Sequence, residues 1–215
     1  MNPTTDYDSV IFQACPNYST GLAKVASLVL PDARQLLSLG TGTGNLEAVV
    51  FDKMPEAKII GYESNQDYLD RAIRKLNGRF SGVHADITGV ELPESDGVIS
   101  SLTLHHITDE DKLKLFERVY DSLSADRRFV NYDIVKADSD KEHKEFVGYV
   151  IGHMRSNGFS QDFIEEERRI LNGVGEGADI PMTLQKQQEL LERLGFRFTL
   201  DWRDQLFVVY HCDKD

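Results

Sequence analysis

Residues Leu36–Val50 read LLSLGTGTGNLEAVV. A short apolar run enters Gly40-Thr41-Gly42-Thr43-Gly44, and a helical pattern leaves it at once. Glycines at such a turn admit a tight strand-to-helix reversal and let a ligand lie against bare backbone. The helix that follows offers unpaired N–H groups and a partial positive charge. A dinucleotide fingerprint would place a third glycine at position 45, but this chain has Asn45. The loop therefore holds something other than a pyrophosphate, or holds it differently. Glu63 closes the next apolar run, AKIIGYE, 19 residues beyond Gly44. A carboxylate there can accept hydrogen bonds from both hydroxyls of a ribose. A second GxGxG run, Gly173 to Gly177, has no strand leading in and no helix following directly. It reads as a flexible loop.

Two further positions could do acid–base work. His106, in SLTLHHITDED, and Asp133, in RFVNYDI, lie at the carboxyl ends of apolar runs. That is the edge where open α/β sheets bind ligands. Either could take a proton from an acceptor. His105 and His106 are adjacent, and in an extended stretch their side chains diverge. Chelation of a metal by the pair, even with His143 or His153, is not expected.

These groups need a frame. Gln35–Gly40, Ala57–Tyr62, Phe80–Ala85, Gly97–Ser101 and Arg128–Ile134 read as short strands. Between them Asn45–Lys53, Gln66–Leu76 and Asp109–Leu123 carry apolar residues at helical spacing, the last capped by Thr108 or Asp109. Tyr18–Leu30 is a further helix, stopped by Pro31. Such alternation implies a parallel sheet with helices on both faces. After the helix Leu184–Leu194, the runs Phe196–Trp202 and Leu206–Cys212 are separated only by Arg203–Gln205. That gap can form only an antiparallel hairpin. Residues 137–180 interrupt the rhythm with two charged helical patterns, read as an insert. Phe146, Tyr149, Met154 and Phe159 either line an apolar pocket there or pack the insert down. Glu165-Glu166-Glu167 and Arg168-Arg169 read as a solvated face with i,i+4 pairs.

The 215 residues suit one domain. The net charge of −12 repels polyphosphate, so a nucleic-acid partner is not expected and a small, neutral or cationic substrate is. Cys15 and Cys212 form no CxxC pair and read as reduced thiols. The amino terminus lacks the features of a signal peptide, and no apolar run is long enough to span a membrane. A cytoplasmic location is expected, and a homodimer is compatible with these features.

The segment Leu36 to about Val135 resembles the class I S-adenosylmethionine-dependent methyltransferases. LLSLGTGTG is similar to that family's first motif, commonly LDLGCGTG, with Ser38 where the family often has Asp. ISSLTLHHITDED looks like its fourth-strand motif. DIPMTLQKQQELLERLGF, with the later Trp202, resembles the final helix and hairpin of small-molecule members. Pro-Gly-Gly, usual before the fifth strand, is replaced by the altered turn Ser124–Arg128. The resemblance implies a Rossmann-like three-layer sandwich with a mostly parallel seven-stranded sheet, an antiparallel carboxy-terminal strand and a helical lid. It implies S-adenosylmethionine as cofactor. Gly40, Thr41 and Gly42 would wrap its methionine portion, Glu63 its ribose, and Ser64, Asp86 and Ile87 its adenine. Ser101 and Leu102 would pass the methionine end, His106 would lie near the methyl, and Tyr18 would close over the cofactor.

The expected chemistry is in-line methyl transfer to a small acceptor, with His106 or Asp133 taking a proton. Two rivals remain open at this point. A nicotinamide oxidoreductase shares the glycine-loop logic but lacks the third glycine, and a non-catalytic cofactor-binding protein would bind without transfer.

Overall fold

A computed structural model describes residues 7–76, 78–175 and 177–215. Part of the polar amino-terminal stretch (residues 1–6), Asn77, and Glu176 of the second glycine run lie outside the described residues. Two amino-terminal helices, α1 (Tyr7–Ala14) and α2 (Tyr18–Leu28), precede the alternating unit. The unit runs β1 (Gln35–Leu39), α3 (Asn45–Lys53), β2 (Lys58–Glu63), α4 (Gln66–Leu76), β3 (Phe80–His84) and β4 (Ser95–Ser101). A 3₁₀ turn (Leu104–His106), α5 (Asp109–Ser122) and β5 (Leu123–Ile134) follow. The insert is α6 (Asp140–Ser156) and α7 (Gln161–Leu171), and α8 (Leu184–Leu194), β6 (Phe196–Asp204) and β7 (Phe207–Lys214) complete the fold.

The seven strands lie in the order β3-β2-β1-β4-β5-β7-β6. The first five are parallel, and β7 runs against both β5 and β6. One antiparallel strand in a mostly parallel sheet is what the short Arg203–Gln205 link demanded. The strand order reverses between β1 and β4, and a crevice opens beyond their carboxyl ends. Both strands are buried almost throughout, as expected of strands covered on two faces.

Local signals set several boundaries. The Thr108 hydroxyl accepts the Asp111 N–H at the start of α5. Thr183 likewise caps α8, and Gly195 at φ 103° ends it. The altered segment before the fifth strand is not a separate turn. It is the first half of a longer β5, whose register with β4 shifts between Leu123 and Arg128, with Asp126 at φ 60°. Helix α1 is an element the sequence reading did not anticipate. A buried polar chain ties α8, β7 and β5: Asn131 donates to the Tyr210 hydroxyl, which donates to Gln187 Oε1. The Asn131 amide nitrogen, the Tyr210 hydroxyl and Gln187 Oε1 are thereby paired, while Asn131 Oδ1 is left without a partner.

Helix α2 packs on β5 through Gly21, where a Cβ would sit 2.3 Å from the Tyr132 ring. Gly148, exposed on α6, has nothing near the same position. Gly21→Ala is therefore expected to cost ~1–3 kcal/mol by overpacking. Gly148→Ala should be neutral or stabilising by up to ~1 kcal/mol. Urea midpoints of the two variants check this. Equal shifts would refute the packing assigned to α2.

Candidate active site

The glycine loop is held by β2: Gly40 and Thr41 both donate backbone N–H groups to Tyr62 O. Gly40 takes φ 68°, and a Cβ there would strike the Thr103 side chain at 2.2 Å. Only glycine lets the loop pass so close to the end of β4. Glu63, 9% exposed, accepts from Gly42 N and Asn65 N, each at 2.8 Å. Its carboxylate is thus fixed at the mouth of the loop, with lone pairs left for a diol. Asp86 sits in a tight turn, accepting Thr88 N and Thr88 Oγ1 on one oxygen.

A cavity of about 540 Å³ lies over this edge. Tyr18, Gly40, Thr41, Gly42, Glu63, Ser64, Asp86, Ile87, Ser101, Leu102 and His106 all line it. Three buried oxygens that face it, Thr41 Oγ1, Glu47 Oε2 and Ser101 Oγ, have no hydrogen-bond partner. Orphaned polar atoms in a cleft call for a polar ligand. The cleft runs from carboxylates suited to a ribose and an adenine toward a polar, buried end near Tyr18, Ser38 and Glu47. These residues fit an adenosyl amino acid. Sequence reasoning missed Tyr7, Asn45 and Glu47 on the wall. Asn45 bonds Asp8, the Tyr18 hydroxyl and Lys75, so the residue that breaks the dinucleotide pattern pins α1, α2 and α4 together.

A second cavity of about 250 Å³ adjoins the first and shares Tyr7, Leu102 and His106 with it. Its walls are mostly apolar: Val10, Ile11, Val150, Met154, Phe163 and Phe207 among them. It lies under α1 and the insert. The insert residues divide accordingly. Met154 faces this chamber, whereas Phe146 packs on Phe207, Phe159 stacks on Phe163, and Tyr149 donates to Asp204. Glu167 also lines the chamber, so the acidic run is not wholly solvated, and its pairs are i,i+3 rather than i,i+4.

The histidines differ from expectation. Leu102 adopts φ 49° and turns the chain out of β4 into the 3₁₀ turn. The two rings therefore do not diverge; their centroids are 3.9 Å apart. His105 is buried, and its Nδ1 lies 2.5 Å from Asp133 Oδ1. Its Nε2 lies 3.6 Å from Asp179 Oδ1. Asp179 arrives because Ile180 N donates to His105 O and Lys112 Nζ donates to Ile180 O. Asp133, 1% exposed, lines neither cavity. The expectation that it meets an acceptor is corrected: it orients His105 from behind. Burial alone would push the His105 imidazole down, but the charges and hydrogen bond of Asp133, then Asp179, hold it above the ordinary histidine range. Burial, and then His105, press His106 down to about 4, so it is neutral near neutrality. His105, His106 and Asp179 each offer one ligand atom within 4.8 Å of the others.

Comparison with known proteins agrees with this geometry. A model of the methyltransferase domain family matches residues 36–126. Over that stretch the chain matches the methyltransferase domain family, and its fold is that of the class I S-adenosylmethionine-dependent methyltransferases. It is 23% identical to the carboxy-S-adenosyl-L-methionine synthase of Nautilia profundicola, over 89% of this chain and 82% of that one. It is 31% identical to the uncharacterized methyltransferase YrrT of Bacillus subtilis, over 63% and 61%. Human N-acetylserotonin methyltransferase, solved with S-adenosylmethionine, superposes with a TM-score of 0.63 at 17% identity. The match covers 91% of this chain and 51% of that one. The chain thus spans about half the length of that solved methyltransferase, and the likeness is one of fold. S-Adenosylmethionine is the cofactor of this family.

Removing the Glu63 carboxylate strips its charge-assisted hydrogen bonds from Gly42 N and Asn65 N and takes away the lone pairs that a diol would use. Glu63→Ala is expected to weaken S-adenosylmethionine binding by roughly 100-fold. Titration calorimetry reads this directly, and affinity within about threefold of wild type would remove Glu63 from the site.

Proposed function

We propose that this chain transfers a methyl group from S-adenosylmethionine to a small acceptor whose apolar body occupies the chamber under α1, α6 and α7. The observation that carries this is the His105–Asp133 pair, whose His105 lines the chamber next to His106, a residue common to chamber and cleft. The sulfonium supplies an activated methyl group. The loop Gly40–Gly42, with Glu63, Asp86 and Ile87, would hold the adenosyl part, and Tyr18 and Tyr7 would cover it. Leu102 and His106 separate the two cavities and would set the line of attack. His105, fixed by Asp133, would take the acceptor's proton at Nε2, and Asp179 would stabilise the resulting imidazolium. His106 then serves as a neutral wall residue near the methyl rather than as the base.

The chain reads as one methyltransferase domain whose lid is formed by α1, α2 and the insert. Asn17, at the start of α2, donates to the Tyr149 hydroxyl on α6 and to Asp204 on β6, a latch across the lid. The small, uncharged-bodied acceptor follows from the chamber, and the net charge of −12 argues against nucleic acid. No helix among the described residues is long and apolar enough to cross a membrane. Free Cys15 and Cys212 suit a reducing cytoplasm.

The carboxy-S-adenosylmethionine synthases among the relatives suggest a second reading. A carboxylated product adds an anion beside the sulfonium, which needs a cation to receive it. Neither cavity is lined by a lysine or arginine among the described residues, and the chamber carries Asp179 and Glu167 instead. The electrostatics favour methyl transfer.

His105→Asn is expected to lower turnover by about 10²–10⁴-fold with cofactor affinity little changed. Because the base must be neutral, turnover should rise with pH through the elevated His105 range. Asp133→Asn should move that limb to lower pH, since the group holding the imidazole up is gone. Methyl-transfer assays against a panel of hydroxyl and amine acceptors read these outcomes. Turnover should also survive a chelator. Loss on chelation, restored by a divalent cation, would instead assign His105, His106 and Asp179 to a metal.

A further inference from the structure

Glu47 sits in the first turn of α3, completely buried, on the wall of the cofactor cleft. One carboxylate oxygen accepts the hydroxyl of Ser38 from β1, and the other has no partner. The Thr41 hydroxyl stands close without completing a bond and is itself unpartnered. Ser38 is the position where the family's first motif often carries an acid. Here strand and helix have exchanged their parts: the strand supplies a hydroxyl, and the helix returns a carboxylate to the same place.

A buried carboxylate with an idle oxygen is costly unless a cation meets it. Among the described residues none stands at contact. Lys75 of α4 acts on Glu47 only from a distance, since its ammonium is spent on Asp8 and Asn45 Oδ1. Tyr18 of α2 faces the same space with a phenol that burial keeps protonated. Burial accordingly raises Glu47 to about 7, against the pull of Ser38 and the helix backbone. The ligand of this cleft carries the missing cation. With the ribose at Glu63 on β2 and the adenine beyond it at Asp86, the amino-acid end must lie over β1 and the start of α3, where Glu47 opens into the cavity.

We propose that Glu47, held by Ser38, is the counter-ion for the α-ammonium group of the cofactor's methionine moiety. The proposal rests on the cofactor reading above. In the free protein Glu47 is partly protonated near neutrality, so binding of an ammonium drives off a proton. No bond is made or broken in the ligand.

Two stable ligands separate the possibilities: S-adenosylhomocysteine, which has the α-ammonium, and 5′-methylthioadenosine, which lacks the amino acid. Calorimetry from about pH 6 to about pH 8, in buffers of differing ionisation enthalpy, should show proton release and tightening affinity for the first ligand only. Glu47→Gln should weaken S-adenosylhomocysteine by roughly 10- to 100-fold, leave methylthioadenosine within about twofold, and abolish the proton release. Retained methylthioadenosine binding shows that the variant's cleft is intact. Equal weakening of both ligands, or wild-type binding of S-adenosylhomocysteine with no proton released, overturns the proposal while the cofactor reading stands. Failure of the wild-type protein to bind either ligand overturns both.

Discussion

The structure around the site depends on one requirement: the Asp133 carboxylate, buried at the end of β5, must be paired. An unpaired charge at that depth would cost several kcal/mol, and His105 is the ring that meets it. To deliver that ring, the chain leaves β4 through the left-handed residue Leu102 and enters a 3₁₀ turn rather than running straight into α5. The turn in turn gives up its His105 carbonyl to Ile180, which draws the 179–183 segment back across the sheet edge from beyond the insert. Lys112, 1% exposed, fastens the same segment by bonding Ile107 O and Ile180 O. The segment beyond the insert is thereby tied to the His105–Asp133 pair, and the shape of the apolar chamber follows from where it is tied.

Legibility in the sequence tracked how local each determinant is. The bounds of α3, α4 and α8 coincide with the sequence reading because glycine, proline, caps and apolar spacing mark them within a few residues. The parallel sheet and its one reversed strand followed from linker lengths alone. The residues that the motifs placed at the cofactor surround one cavity, since the glycine loop, Glu63 and Asp86 each close a strand of known phase. The histidines were harder. Taking the stretch after β4 as extended gave His106 the inward position, and the backbone reversal at Leu102 instead brings His105 against Asp133. No periodicity records a single left-handed residue. Asp179 lies 74 positions beyond His105 in the chain, and only the fold shows that they meet.

Glu47 was legible in principle. A serine in place of the usual strand acid, with a glutamate in the helix turn above it, is a visible exchange, but the sequence alone does not show that both project into the same cleft. Helix α1 shows the opposite limit. Its residues carry weak amphipathic character, and its position is set by Asp8 bonding Thr43, Asn45 and Lys75, contacts made across three other elements. Tertiary polar contacts, rather than propensity, decide such short helices.

The seating of β7 between β5 and β6 bears on how the domain is made. Of the seven strands it is the last to be synthesised, yet it lies inside the sheet rather than on its rim. Until it arrives, the row of backbone donors and acceptors on β5, from Arg127 to Ile134, has no companion. The ring of Tyr210, on which Asn131 and Gln187 converge, is missing with it. A growing chain can therefore assemble the half built from β1 to β4 early but must carry an open β5 edge until its last strand is made. The long sequence separations that close this edge favour slow, late consolidation, and they make the β5 edge the place where a nascent chain most needs protection from its neighbours.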